Sequence, residues 1–455
     1  MSNFLSDRVF VSETDLPNEI IKNWSEEKII IDSDTLQLDD FRHFLSSLKN
    51  KVKKESVALV KNIKGNIEGL TNGIMYSNLD DNKWLQAACI TEIFRHSGIS
   101  KNSGSIDTFN LQNKIYSCLD KENFKFVLGW GQAKRSCGGL KTEGYSADLS
   151  ELYAIMMLQL IASSVHIISG KKVNILVLTG GNRFHDALFT NEQKIEDYDN
   201  QRTMIADFFS DNSAFITFIP YKNQRIGKNI LISDCEKIDS QDINKHFKTI
   251  LVNIDWDNIL SNYHFLYHNI IMPSSLQEYL NNGGDKNLII TMAIVSILRN
   301  DTHNYWIDKV GSMKLFDDTI DYFREITTQS TIKYLSIHLT NGVEKILKDE
   351  SYSDCIRLTV HVKHDRSDIP AIYTLGKTGG NKLSQHVCMS VIDGVINFST
   401  VLELYKNKGI KKYFPPIDGK ELFNWLNSEN QPLLYSNENV NHVFSNILSI
   451  PLIKM

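Results

Sequence analysis

Between residues 124 and 221 the chain passes through five segments of alternating strand and helix character, and that alternation restricts it to a few architectures. FKFVLGW at 124–130, VNILVLT at 173–179 and AFITFIPY at 214–221 are short apolar runs rich in β-branched and aromatic residues. Between them lie ADLSELYAIMMLQLIASSVHII at 147–168, a long helical stretch opened by Asp148, and NQRTMIADFFS at 200–210, with helical period. Strands that take turns with helices pair in parallel through crossover helices. The expected fold is therefore α/β: a Rossmann-like, mostly parallel sheet flanked by helices, with a helical N-terminal extension and a β-rich C-terminal part.

The flanks divide the chain into three expected regions. Residues 1–115 read as mostly helical and peripheral, with WLQAACITEIFRH at 84–96 as the plainest helix. Residues 116–350 hold the α/β core and a helical insertion that includes LIITMAIVSILRN and STIKYLSIHLTNGVEKILKD. In 351–455, CIRLTVHVKHD, AIYTLG, HVCMSVIDG and VINFS read as short strands parted by Gly, Asp and Asn turns, a meander or mixed-sheet extension.

Bulk properties remove several classes of function. The chain has 455 residues, a net charge of −5 and a pI near 6.2, which argues against a nucleic-acid binder. The basic run KNKVKK at 49–54 reads as a solvated helix face. Six cysteines (Cys89, Cys118, Cys137, Cys235, Cys355, Cys388) form no CxxC pair, so neither a zinc site nor a disulfide framework is expected. The first residues lack the basic and apolar parts of a signal peptide. Apolar runs such as IMMLQLIASSVHII at 155–168 fall short of the ~20 residues of a membrane span. A reduced, cytoplasmic protein with no membrane or nucleic-acid partner and no metal is the expectation.

Three segments carry groups capable of chemistry. FKFVLGWGQAKRSCGGLKTEGYSADLSELYAI brings Lys134 and Arg135 after a strand, then Asp148 and Glu151 in the first turn of a helix. Asp148 with Glu151 three residues on also has the spacing of a helix-capping box. In NILVLTGGNRFHDALF at 174–189 the strand ends at Gly180 and Gly181, which allow close backbone approach to a phosphate, and Arg183 and His185 follow as donors. The turn is neither a Walker loop nor GxGxxG. In CIRLTVH, Arg357, Thr359 and His361 have the even spacing that places them on one face of a strand. Burying two cations on a core face is costly, so that face reads as the wall of a polar pocket, and His386 of QHVCMSV can join it. The pair His264 and His268 in HFLYH lacks the Glu of HExxH and reads as aromatic packing.

Taken in order, these segments resemble the pyoverdine/dityrosine biosynthesis family, known for its isocyanide (isonitrile) synthases. FKFVLGWGQAKR…ADLSE resembles that family's strand, lysine loop and "PDLGE"-like helix start, pointing to Lys134, Asp148 and Glu151. LTGGNRFHD resembles its "SDGxxFxD" turn at Gly181, Phe184 and Asp186, with Tyr198 in IEDYDNQ in place of a following Tyr. IRLTVH resembles "IRLSIH", and QHVCMSVIDG the "WH" strand with its "DG" turn. Gly180 stands where the family has an aspartate, Arg135-Ser136-Cys137 replace the Pro and Asn after the lysine, and Gln385 replaces the Trp. The resemblance covers about residues 85–405.

It implies a reaction without metal or organic cofactor. The amine of an aromatic amino acid, usually tyrosine or tryptophan, condenses with the C2 ketone of ribulose 5-phosphate, and one sugar carbon becomes the isonitrile. It also implies a secondary-metabolism setting, beside an Fe(II)/2-oxoglutarate oxygenase that acts on the product. Such chemistry requires anion clamps and proton carriers. Lys134, Arg183 and Arg357 suit the first task, with Gly180, Gly181, His185 and Tyr198 around the substrate. Lys134, His361, His386 and Glu151 suit the catalytic steps, and Asp148 or Glu151 the substrate ammonium. An N-formylating enzyme of dityrosine type, and a catalytically silent phosphosugar- or protein-binding scaffold, remain open beside it.

Overall fold

The computed structural model describes residues 33–70, 82–131, 134, 142–179, 192–220, 225–226, 230–231, 240–255, 276–299, parts of 328–339, 352–363, 366–404, 409–416 and 431–454. A short strand β1 (Ser33–Thr35) leads into helices α1 (Leu38–Leu70), α2 (Lys83–Arg95) and α3 (Thr108–Cys118). The alternating part follows: β2 (Asn123–Trp130), α4 (Leu149–Ser169), β3 (Lys172–Thr179), α5 (Glu192–Phe209) and β4 (Ala214–Pro220). Next come a small hairpin, β5 (Arg225–Ile226) with β6 (Ile230–Leu231), and helices α6 (Ser240–Val252), α7 (Leu276–Asn281) and α8 (Lys286–Arg299). The C-terminal part supplies β7 (Ile356–Leu358), β8 (Cys388–Ile392), β9 (Val395–Ser399), β10 (Lys411–Phe414), β11 (Leu434–Ser436) and helix α9 (Val440–Ser449).

The strands form two main sheets. In the first, β4–β3–β2–β7, every neighbouring pair is parallel. The second, β1–β10–β11–β8–β9, is mixed. The fold is thus the expected α/β class, a parallel sheet flanked by helices, with helices near the N-terminus and a strand-rich C-terminal part.

Helix α4 explains how the layers stack. All but two of its 21 residues are buried, a pattern of a helix that is apolar all round and therefore central. It packs on β3 and β4 on one side, and on α1, α2 and β8 on others. At about 1.5–3 kcal/mol for each large apolar side chain fully buried, α4 contributes substantially to the hydrophobic core. By length and composition it could cross a membrane, yet 83% of its apolar window is buried inside the fold.

Strand alternation then sorts the sheet residues. Phe124, Phe126, Leu128 and Ile356 belong to the core around α4, whereas Val127 and Leu178 form a separate small cluster with Cys355 and Tyr352. The two faces of the parallel sheet are different environments.

Several expectations need correction. The N-terminal helices are not peripheral: Phe41, Phe44 and Leu45 of α1 are buried in the main core, and β1 pairs with β10. CIRLTVH does not join the C-terminal strands. Its β7 extends the parallel core sheet by pairing with β2. The strand also ends at Leu358, so Thr359 makes only an isolated bridge to Ala371 and His361 lies in a bend. AIYTLG is not a strand either: beyond bridges at Ala371 and Ile372 it turns into the short helix Gly376–Gly379. The Asp393–Gly394 turn does close a β8–β9 hairpin, both residues having positive φ (51° and 75°), as a two-residue type I′ turn requires.

Candidate functional site

The sheet order places the chain's switch point at β2, whose successor β3 lies on one side and late-coming β7 on the other. In open α/β sheets, ligand sites lie beyond the carboxyl ends of the strands at such a point. The residues just after β2 and at the start of α4 meet there.

Lys134 is fully buried, and its Nζ has five oxygen atoms around it. It donates to Glu151 Oε2 (2.8 Å), Ser150 Oγ (2.9 Å) and the carbonyls of Ser384 and Val387 (3.0 Å each). Asp148 Oδ2, at 2.9 Å, completes the shell as an ion pair. Asp148 and Glu151 are also the capping box of α4. The Asp148 side chain accepts from Ser150 N–H (2.7 Å) and Glu151 Oε2 accepts from Asp148 N–H (2.9 Å). The DLSE sequence thus does two jobs with one set of atoms. Tyr198, on α5, donates its hydroxyl to Glu151 Oε1 (2.9 Å) and is fully buried.

A second layer holds Tyr198. The Arg202 guanidinium lies 4.2 Å from the Tyr198 ring centre, pairs with Asp199 and donates to Gly131 O (2.9 Å). Asp199 Oδ2 accepts from Thr179 Oγ1 at the end of β3 (3.0 Å). Both strand ends are thereby tied to α5. Gln201 Oε1 and Gln431 Oε1 receive the N–H groups of Ala147 (2.7 Å) and Ser146 (2.8 Å), fixing the approach to α4.

Buried charges this close perturb one another. Burial raises the Asp148 carboxyl to about 7, against the pull of Lys134, with Glu151 adding repulsion. Burial opposes the Lys134 charge, but Asp148 and Glu151 outweigh it and hold the ammonium above the usual lysine range. Burial and the Glu151 charge push the Tyr198 phenol well up. Among the described residues, two cations (Lys134, Arg202) face three carboxylates (Asp148, Glu151, Asp199). Near neutral pH the Asp148 carboxyl can therefore both take and give a proton, which suits general acid–base work.

Of the residues expected at a site, the structure brings Lys134, Asp148, Glu151 and Tyr198 together. His386 is half-buried in the 3₁₀ turn Ser384–His386, within the segment whose carbonyls Lys134 holds. His361 is exposed beyond the carboxyl end of β7, outside the strand that was to carry it. Arg357 does not face the cluster. It pairs in register with Val127, and sheet alternation turns it to the face away from α4. Gly180, Gly181, Arg183 and His185 lie outside the described residues, as do His264 and His268. Among the described residues no group of three His, Cys, Asp or Glu is arranged to hold a metal ion.

Ser150, Arg202 and Asp199 escape the sequence reading, which named Gln385 only as the replacement of the family's Trp. Gln385 Oε1 accepts from Trp130 Nε1 (3.1 Å), and its amide packs against Gly131 so tightly that a Cβ there would lie 2.3 Å from Nε2. The glycine is needed for that approach. The available signal for Arg202 is its spacing, four residues after Tyr198 and three after Asp199 on one helix, which stacks the three side chains.

No protein-family model and no curated protein matches the chain. Among solved structures it is similar to the PvcA protein from Pseudomonas aeruginosa, at 13% identity and a TM-score of 0.48, over 77% of this chain and 99% of that one. At that identity the likeness assigns neither substrate nor reaction.

Proposed function

We propose that the chain is an isonitrile-synthase-like enzyme that joins the amine of an amino acid, tyrosine or tryptophan, to the C2 ketone of ribulose 5-phosphate. The observation that carries this reading is the convergence of Lys134, Asp148, Glu151 and Tyr198 on one buried ion cluster at the carboxyl edge of the sheet. These are the positions to which the family resemblance points, and they lie up to 64 residues apart in the chain.

In this reading Asp148, poised near neutrality, takes the proton from the substrate ammonium and freeing the amine lets it attack the ketone. The same carboxylic acid then protonates the carbinolamine hydroxyl, which leaves as water, and the resulting iminium returns its N–H proton to the Asp148 carboxylate to give the imine. Lys134 pairs with Glu151 beside it, and Tyr198 fixes the Glu151 orientation. His386, on the segment that Lys134 grips, supplies a further proton carrier at the rim.

A second reading has its own support. An ammonium has three hydrogens, and Lys134 already has five oxygen partners and no exposure, as a purely structural cluster would. A catalytically silent scaffold fits that saturation. Incubating the protein with the proteinogenic amino acids and ribulose 5-phosphate labelled at C2 separates the cases by mass spectrometry. A labelled isonitrile supports the enzyme proposed here, a labelled formamide an N-formylating relative, and no labelled product the scaffold.

A further inference from the structure

At the carboxyl end of β2, Gln385 is only 3% exposed and its amide is held in one orientation. The Trp130 indole N–H can only donate, so it keeps Oε1 on its own side (3.1 Å) and turns the Nε2 amino group away. That group packs against Gly131, which has no Cβ to block it: one placed there would meet Nε2 at 2.3 Å. Among the described residues no acceptor takes either Nε2 hydrogen.

Two more donors among the residues joined here are buried and unmatched. Ser384 Oγ, in the same 3₁₀ turn, has no hydrogen-bond partner, and neither has Nε of Arg202, whose Nη1 holds the Gly131 carbonyl (2.9 Å). Buried polar groups are nearly always paired, because an unmet donor costs its full desolvation. Unmet donors gathered where an open α/β sheet receives its ligand point to a ligand with acceptor oxygens. The α-amine and α-carboxylate of an amino acid share one carbon, so their partners must be neighbours. Lys134 Nζ is 2.9 Å from Asp148 Oδ2 and 3.0 Å from Ser384 O, the carbonyl that precedes Gln385. One ammonium thus holds together the acid that would receive the amine and the turn that carries the unmatched amide.

We infer that Gln385 is a specificity-determining residue whose Nε2 donates to the α-carboxylate of the amino acid, an assignment that rests on the isonitrile-synthase reading for its substrate. A neutral amide suits this place, because it binds a carboxylate oxygen without adding a third cation beside Lys134 and Arg202. An amine that lacks the carboxylate leaves the amide unmet, which a site built on a hydrogen bond penalises.

The test is calorimetric titration of the full chain with L-tryptophan and L-tyrosine, and with tryptamine and tyramine, which lack the carboxylate. At least one amino acid should bind at least ~10-fold tighter than its amine. Gln385→Glu keeps an oxygen for Trp130 Nε1 and removes the amino group, so it should erase that preference. Gln385→Met, which loses both contacts, should do the same, and so should Gly131→Ala, whose methyl displaces the amide. A preference that survives Gln385→Glu, as a purely structural Gln385 predicts, or equal affinity of amino acid and amine in the native chain, would overturn the assignment. Loss of ribulose 5-phosphate binding in Gln385→Glu with the preference intact would make the amide a sugar contact and overturn it too. Labelled isonitrile from the native chain alongside any of these results leaves the reaction standing. No saturable binding of either amino acid below about 10 mM would overturn the assignment together with the substrate it rests on.

Discussion

Lys134 binds three separate segments of the chain together at one buried point: the loop after β2, the first turn of α4 and the segment before β8. Removing one partner of a buried ion pair leaves the others uncompensated, at a cost of about 3–5 kcal/mol. Lys134→Met should therefore lower the urea unfolding free energy by that amount; a loss below about 1 kcal/mol would mean that the carboxylates are already neutral. Asp148 gives a prediction with a sign. Its carboxyl titrates near 7 when folded and near 3.8 in an exposed chain, so it binds its proton more tightly in the native state. The stability it contributes is complete below about pH 4 and is lost as pH rises through about 7. Asp148→Asn keeps a good helix cap and should flatten the decline of the urea midpoint across that interval, whereas an equal slope in both proteins would show an aspartate charged throughout. Tyr198→Phe removes one hydrogen bond to a charged group while keeping the ring over Arg202. It should cost about 1.5–3 kcal/mol by the same measurement.

At the scale of elements, the joints are aromatic and apolar. Phe44 of α1 stacks on Phe444 of α9 with ring centres 4.1 Å apart and planes 10° from parallel, and it joins the two ends of the described chain. Phe44→Ala should cost about 3–5 kcal/mol and expose α9 amides to hydrogen exchange. Full protection of α9 would place its anchor elsewhere. The elements around α4 are legible in the sequence because each is specified locally: β-branched runs for β2, β3 and β4, and DLSE for the α4 cap. Elements specified by their partners are not. β1 has three residues with no distinctive pattern and forms by pairing with β10. CIRLTVH looks like a C-terminal strand until β2 takes its first half, and the even spacing of Arg357 and His361 loses its meaning once the strand stops at Leu358.

For the molecule as a whole, the same difference governs the candidate site. The Lys134 cluster could be anticipated residue by residue, since a helix cap and a lysine loop are written in short stretches, while Arg202 enters only through tertiary packing. The parallel sheet thus holds the Lys134 cluster at its carboxyl edge. The central claim is that this cluster is a reactive centre. Its most direct test is the rate of isonitrile formation from C2-labelled ribulose 5-phosphate and the accepted amino acid, in the native chain and in Tyr198→Phe and Asp148→Asn variants shown to be folded. Labelled product from the native chain, with a loss of at least ~100-fold in Asp148→Asn and a smaller loss in Tyr198→Phe, is the predicted result. Product formed at native rates by folded Asp148→Asn, or no labelled product from the native chain with any amino acid, would contradict it.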